Sequence, residues 1–94
     1  MDKKKLRYAI LKKMDANENN VTANFFGVTE EEFFENVTFL SREGYITKPM
    51  YADNIVFNMS FSRITEKGEN YLEENSMLNK GYKIAKEVRD WIKL

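Results

Sequence analysis

Residues 42–72 read REGYITKPMYADNIVFNMSFSRITEKGENYL, and the hydrophobic period changes twice within them. Helical spacing ends at Gly44. A two-residue alternation follows over 55–62, with Phe57, Met59 and Phe61 on one side and Asn58, Ser60 and Ser62 on the other. Helical spacing resumes at Thr65. A chain that leaves a helix, forms a hairpin and re-enters a helix over so short a stretch is neither a pure bundle nor a sheet protein. It has to seat a small antiparallel hairpin between helices. Tyr45–Lys48 is expected to begin the first strand. Pro49 lacks an N–H and so excludes a central-strand position, which leaves 49–54 as a loop around an Asp53-Asn54 turn, too long for a two-residue connection.

Upstream, Leu6, Ile10 and Met14, with Ala9 beside them, define one face of a helix over 2–15, and the polar run ANENN (16–20) ends it. Thr22 can cap a short helix over 22–26 that Gly27 closes in the left-handed conformation. Thr29-Glu30-Glu31-Glu32 is a capping box whose acids also suit the positive end of a helix dipole. That helix is expected from Glu30 to about Glu43, with Phe33, Val37 and Leu40 in the core and Gly44 as its stop. Downstream, Thr65 opens a helix that contains Gly68. Glycine costs a helix interior about 1 kcal/mol against alanine, which points to close packing at that position. Ser76 caps a last predicted helix, 77–93, on which Leu78, Gly81, Ala85, Val88 and Ile92 share a face.

Helix, short helix, helix, hairpin, helix, helix is an α+β, mainly helical order. It is that of a winged helix-turn-helix with a β-hairpin wing and an extra C-terminal helix, in a single domain over 1–94. Residues 22–43 would be the helix-turn-helix and 45–62 the wing.

Four stretches, KLRYAILKKM (5–14), GVTEEEF (27–33), REGYI (42–46) and ITEKGENYLEEN (64–75), together with the tail YKIAKEVRDWIKL (82–94), resemble the YjcQ family of small proteins found in bacteria and their phages. The likeness covers nearly the whole length, and residues 15–26 and 47–63 diverge most. It implies a winged-helix fold and a DNA-binding role, such as that of a phage or prophage regulator. It brings no assigned functional residues with it.

Composition narrows the chemistry. The chain has no Cys and no His, which removes disulfides, thiolate zinc sites, cysteine nucleophiles and the usual acid–base group near neutral pH. No enzymatic activity, cofactor or metal is expected. Adjacent carboxylates such as Glu30, Glu31 and Glu32 diverge around a helix instead of converging on an ion. The N-terminal MDKKKLRYAILKKM starts like a signal sequence, but Lys12 and Lys13 break its apolar stretch, so a cytoplasmic protein with no membrane contact is expected.

Charge is the most informative feature. The 15 basic and 15 acidic residues cancel, but they are segregated. Residues 2–15 hold 6 bases and 2 acids, residues 16–79 hold 4 bases and 11 acids, and residues 80–94 hold 5 bases and 2 acids. Double-stranded DNA read in the winged-helix manner would meet Thr38, Arg42, Lys48 and Arg63. Against that, the polar side of the recognition helix carries Glu31 and Glu35 with Glu30 and Glu32 nearby, and each acid repels phosphate. A second basic face, Lys83, Lys86, Arg89 and Lys93, lies on the last predicted helix, either as an ordinary solvated face or as a contact for an acidic partner or nucleic acid. Phe34 and Phe39 flank the core axis of the recognition helix and, where exposed, would mark a protein contact. Trp91 and Ile92 could extend an apolar strip into a homodimer seam.

Overall fold

The computed structural model describes residues 2–18, 21–53 and 55–75. The predicted last helix, with the alternative basic face Lys83, Lys86, Arg89 and Lys93 and with Trp91, lies outside the described residues. Six elements follow in order: α1 (Lys3–Asp15), α2 (Ala23–Phe26), α3 (Glu30–Arg42), β1 (Met50–Ala52), β2 (Ile55–Asn58) and α4 (Glu66–Glu74). The result is mainly helical, with a two-stranded antiparallel hairpin after the first three helices, in a winged-helix-like layout.

The helix boundaries are set by side-chain caps. Asp2 accepts from the Lys4 amide, Thr22 from Phe25, Thr29 from Glu32 and Thr65 from Gly68, each serving one of the four amides that a helix start leaves without a partner. Gly27 and Gly44 end α2 and α3 with φ of 70° and 84°, the left-handed region where a side chain would be strained.

The core joins α1, α2, α3 and α4 through Leu6, Ile10, Leu11, Phe26, Phe33, Val37, Leu40 and Leu72, with Ile46 from the hairpin stem. Helix α1 buries more than its expected stripe. Tyr8, Leu11 and even Lys13 are enclosed alongside Leu6, Ala9 and Ile10, because α3 and α4 both pack against it. Phe26 and Phe33 stack at 6.1 Å and fix the angle between α2 and α3.

The hairpin departs from the sequence reading in three respects. Residues 45–48 do not form a named strand. They make a stem, in which Ile46 bridges Ile64, the Thr47 amide donates to Arg63 O (2.8 Å), the Arg63 amide donates to Thr47 Oγ1 (2.8 Å) and Ser62 Oγ donates to Thr47 O (2.6 Å). Pro49 interrupts pairing only locally, since both strands of a two-stranded sheet are edges, and β1 begins immediately after it. Ala52 then pairs with Ile55, so only two residues separate the strands, and the first of them, Asp53, has a φ of 50°. A two-residue turn with positive φ matches the right-handed twist of its strands. The alternation over 55–62 also stops at Asn58. Residues 59–61 turn, and Phe61 emerges 70% exposed instead of facing inward.

Candidate functional site

Helix α3 presents two chemically different surfaces beyond its core face. Its first two turns hold exposed Glu30, Glu31 and Glu35 around a half-buried Phe34. Phe34 meets Tyr51 of β1 edge-on, with ring centroids 5.4 Å apart. Ile55, the first residue of β2, is 44% exposed on the same side. Together Glu30, Glu31, Phe34, Glu35 and Ile55 line an open cleft of about 550 Å³ between α3 and the hairpin. Among the described residues, carboxylates line it, an aromatic ring and a branched aliphatic chain form its apolar part, and no lysine or arginine lines it. The Tyr51 hydroxyl is buried and has no hydrogen-bond partner among the described residues.

The other half of α3 is cationic and aromatic. The Arg7 guanidinium of α1 lies 3.6 Å from the Phe39 ring centroid while its Nε donates to Asn36 Oδ1 (2.9 Å). Phe39 neighbours Tyr45 at 6.4 Å, Tyr45 neighbours Tyr71 of α4 at 5.1 Å, and Lys67 Nζ sits 5.0 Å from the Tyr45 ring. Burial raises the Tyr71 phenol above its ordinary value, with the neighbouring Tyr45 adding to the shift. These rings and cations hold α1, α3 and α4 together at the foot of the hairpin. The sequence reading missed Arg7, Tyr45, Lys67 and Tyr71 as a group. Only the placement of Phe39 off the core axis hinted at them.

The four residues expected to meet DNA are dispersed. Thr38 is half-buried, and its hydroxyl is buried with no partner among the described residues. Arg42, with a side chain 65% exposed, stands 3.5 Å from the Glu43 carboxylate and 5.6 Å from the Phe39 ring. Lys48 and Arg63 both lie in the hairpin stem, but one residue apart in register, which sets them on opposite sides of it. Lys48 is exposed, whereas Arg63 folds back so that Nη1 donates to Ser60 O (2.6 Å) and Ser62 O (3.0 Å). Among the described residues, no group of acids gathers as metal ligands, and no helix is long and apolar enough to cross a membrane. One glycosylation-type motif, Asn36-Val37-Thr38, falls inside α3, with Asn36 buried and its Nδ2 donating to Glu32 O (2.8 Å).

Comparison with known proteins places the whole chain. The family model described as "YjcQ protein" matches residues 4–91. A curated relative, "Uncharacterized protein YjcQ" of Bacillus subtilis (strain 168), is 48% identical over 94 residues, covering 99% of this chain and 100% of that protein. No solved structure matches. A match over nearly its full length, with close to half the residues identical to that relative, makes this chain a member of the YjcQ family.

Proposed function

We propose that the protein is a non-catalytic protein-interaction module on a winged-helix-like scaffold, acting in the cytoplasm, with the cleft between α3 and the hairpin as its contact surface. The observation that carries this reading is the composition of that cleft. Among the described residues its polar groups are Glu30, Glu31 and Glu35, and beside them stand Phe34 and the exposed Ile55. A conventional winged helix lays the first turns of this helix against base edges and phosphates. Here those turns would bring carboxylates to a polyanion. Aromatic and aliphatic side chains, by contrast, are what a protein interface buries.

The test is affinity enrichment from lysate with the wild type and with Ile55→Asp. Ile55 is exposed, so the substitution spares the core. The expected result is a protein partner retained by the wild type and lost with the variant. Equal enrichment by both would remove the cleft from the interface.

The second reading is binding of double-stranded DNA, as by a phage or prophage regulator. It is favoured by the element order, by exposed Lys3, Lys4 and Lys5 at the start of α1, and by exposed Arg42 and Lys48. Titrating a mixed-sequence duplex into isotope-labelled protein, first at low and then at moderate salt, separates the two readings. DNA contact produces shifts at Arg42, Lys48 and Arg63 that weaken as salt rises, because phosphate binding releases counterions. The protein-contact reading expects α3 and the hairpin to stay unmoved at both salts.

A further inference from the structure

We infer that the occupant of the α3–hairpin cleft is a basic amphipathic helix of a partner protein. This rests on the protein-contact reading and goes one step past it, to the chemistry of the partner. Glu31 and Glu35 lie four residues apart on α3, one helical turn, or roughly 6 Å along the axis. Phe34 stands beside them and Ile55 lies across the cleft. A partner helix with lysine or arginine at the same one-turn spacing pairs with those carboxylates. Its large apolar side chains at i, i+3, i+4 and i+7 settle on Phe34 and Ile55, the usual pattern for a helix seated in a groove.

Charge complementarity selects this class over the alternatives. An acidic helix would face three like charges, and a purely apolar one would desolvate the carboxylates without pairing them. Residues 30–35 hold four acids and no base, so the local field at this end of α3 adds to the attraction for a cation.

The experiment uses the full chain, isotope-labelled and followed by NMR. The first probe is an amidated peptide of about 18 residues with leucine at helical spacing and lysine elsewhere. The second has the same pattern with glutamate in place of lysine. The expected result is shifts at Phe34, Glu35 and Ile55 with the lysine peptide only, and affinity that falls as salt rises. The double variant Glu31→Lys, Glu35→Lys should weaken binding more than tenfold and transfer the preference to the glutamate peptide. Both positions are exposed, so the variant should retain the wild-type fold, checked by its unchanged shifts in the core.

Binding of both peptides alike at the cleft would overturn the charge selection while leaving the protein-contact reading standing. No binding by either peptide, together with duplex-induced shifts on α3, would overturn both. Shifts confined to residues away from α3 and β2 would overturn the location.

Discussion

Gly68 gives the sharpest test of the packing at the foot of the hairpin. It lies in the first turn of α4, its φ is outside the left-handed region, and helix propensity alone says that Gly68→Ala should stabilise the protein by about 1 kcal/mol. The structure predicts the opposite sign. A methyl group built on Gly68 would lie 2.7 Å from Ile64 Cγ1 and closer than any van der Waals contact allows to the carbonyl oxygen of Tyr45. Ile64 could move its side chain, but Tyr45 O is backbone and already accepts the Thr65 amide at 3.0 Å. The neighbouring Gly44 O accepts Thr65 Oγ1 at 2.6 Å. Relieving the clash therefore pulls the cap of α4 away from the end of α3. Overpacking of this kind costs about 1–3 kcal/mol. After subtracting the propensity gain, the upper part of that range leaves a net loss of about 1–2 kcal/mol, which for a domain of this size lowers Tm by roughly 5–15 °C. Thermal unfolding followed by far-UV circular dichroism measures it. Asn70→Ala, at an exposed position of the same helix, is the control and should raise Tm slightly. A Gly68→Ala protein that melts at or above the wild type would refute the close approach of α4 to Tyr45.

Three other outcomes are expected. Lys13 is only 5% exposed and pairs with Glu18 at 2.8 Å, so Glu18→Ala should cost about 1–2 kcal/mol in urea unfolding by leaving a buried ammonium unpaired, whereas Lys13→Met, which keeps the apolar stem, should cost less. Asn36→Ala removes the acceptor of Arg7 and the donor to Glu32 O and should cost about 1–2 kcal/mol, with NMR shifts at Phe39, over which Arg7 lies. Burial raises the Tyr8 phenol above its ordinary 10.0, so the folded state keeps a proton that the unfolded chain releases; this stabilisation is complete below pH 10.0 and is lost as pH rises through the folded value, and Tyr8→Phe should flatten the stability profile there.

The sequence was most legible where a local rule acts alone. Thr22, Thr29 and Thr65 each cap the helix expected of them, and Gly27 and Gly44 each adopt the left-handed conformation, because a cap needs only a side-chain oxygen and a few neighbouring amides. The core positions of α3 followed equally well from their spacing. Legibility failed in the hairpin. Pro49 points to a loop over 49–54, yet a prolyl nitrogen at a sheet edge leaves no amide to satisfy, and β1 forms beyond it. The alternation over 55–62 promised one continuous strand, but the turn at 59–61 reverses the side presented and sends Phe61 into solvent. Neither outcome is fixed by residues adjacent in sequence. Both depend on how the stem pairs Thr47 with Arg63, a contact sixteen residues apart.

The same distinction explains why the candidate site was half visible. The acids on α3 could be read directly, and their conflict with DNA was plain from charge alone. Which apolar groups would join them depended on the register of the hairpin. With Ala52 opposite Ile55 across a two-residue turn, Tyr51 comes beside Phe34 and Ile55 stands at the cleft. A register shift of one residue would exchange the sides of the strand and withdraw Ile55 from that surface. The turn that Asp53 opens thus shapes the site through the register. Asp53 holds a φ of 50°, so Asp53→Gly should keep the register and preserve the cleft, whereas Asp53→Val, β-branched and strained in that region, should disturb both. The Phe34 and Ile55 amide shifts report which occurs: unchanged positions with valine would mean that the register is held by the stem instead of the turn.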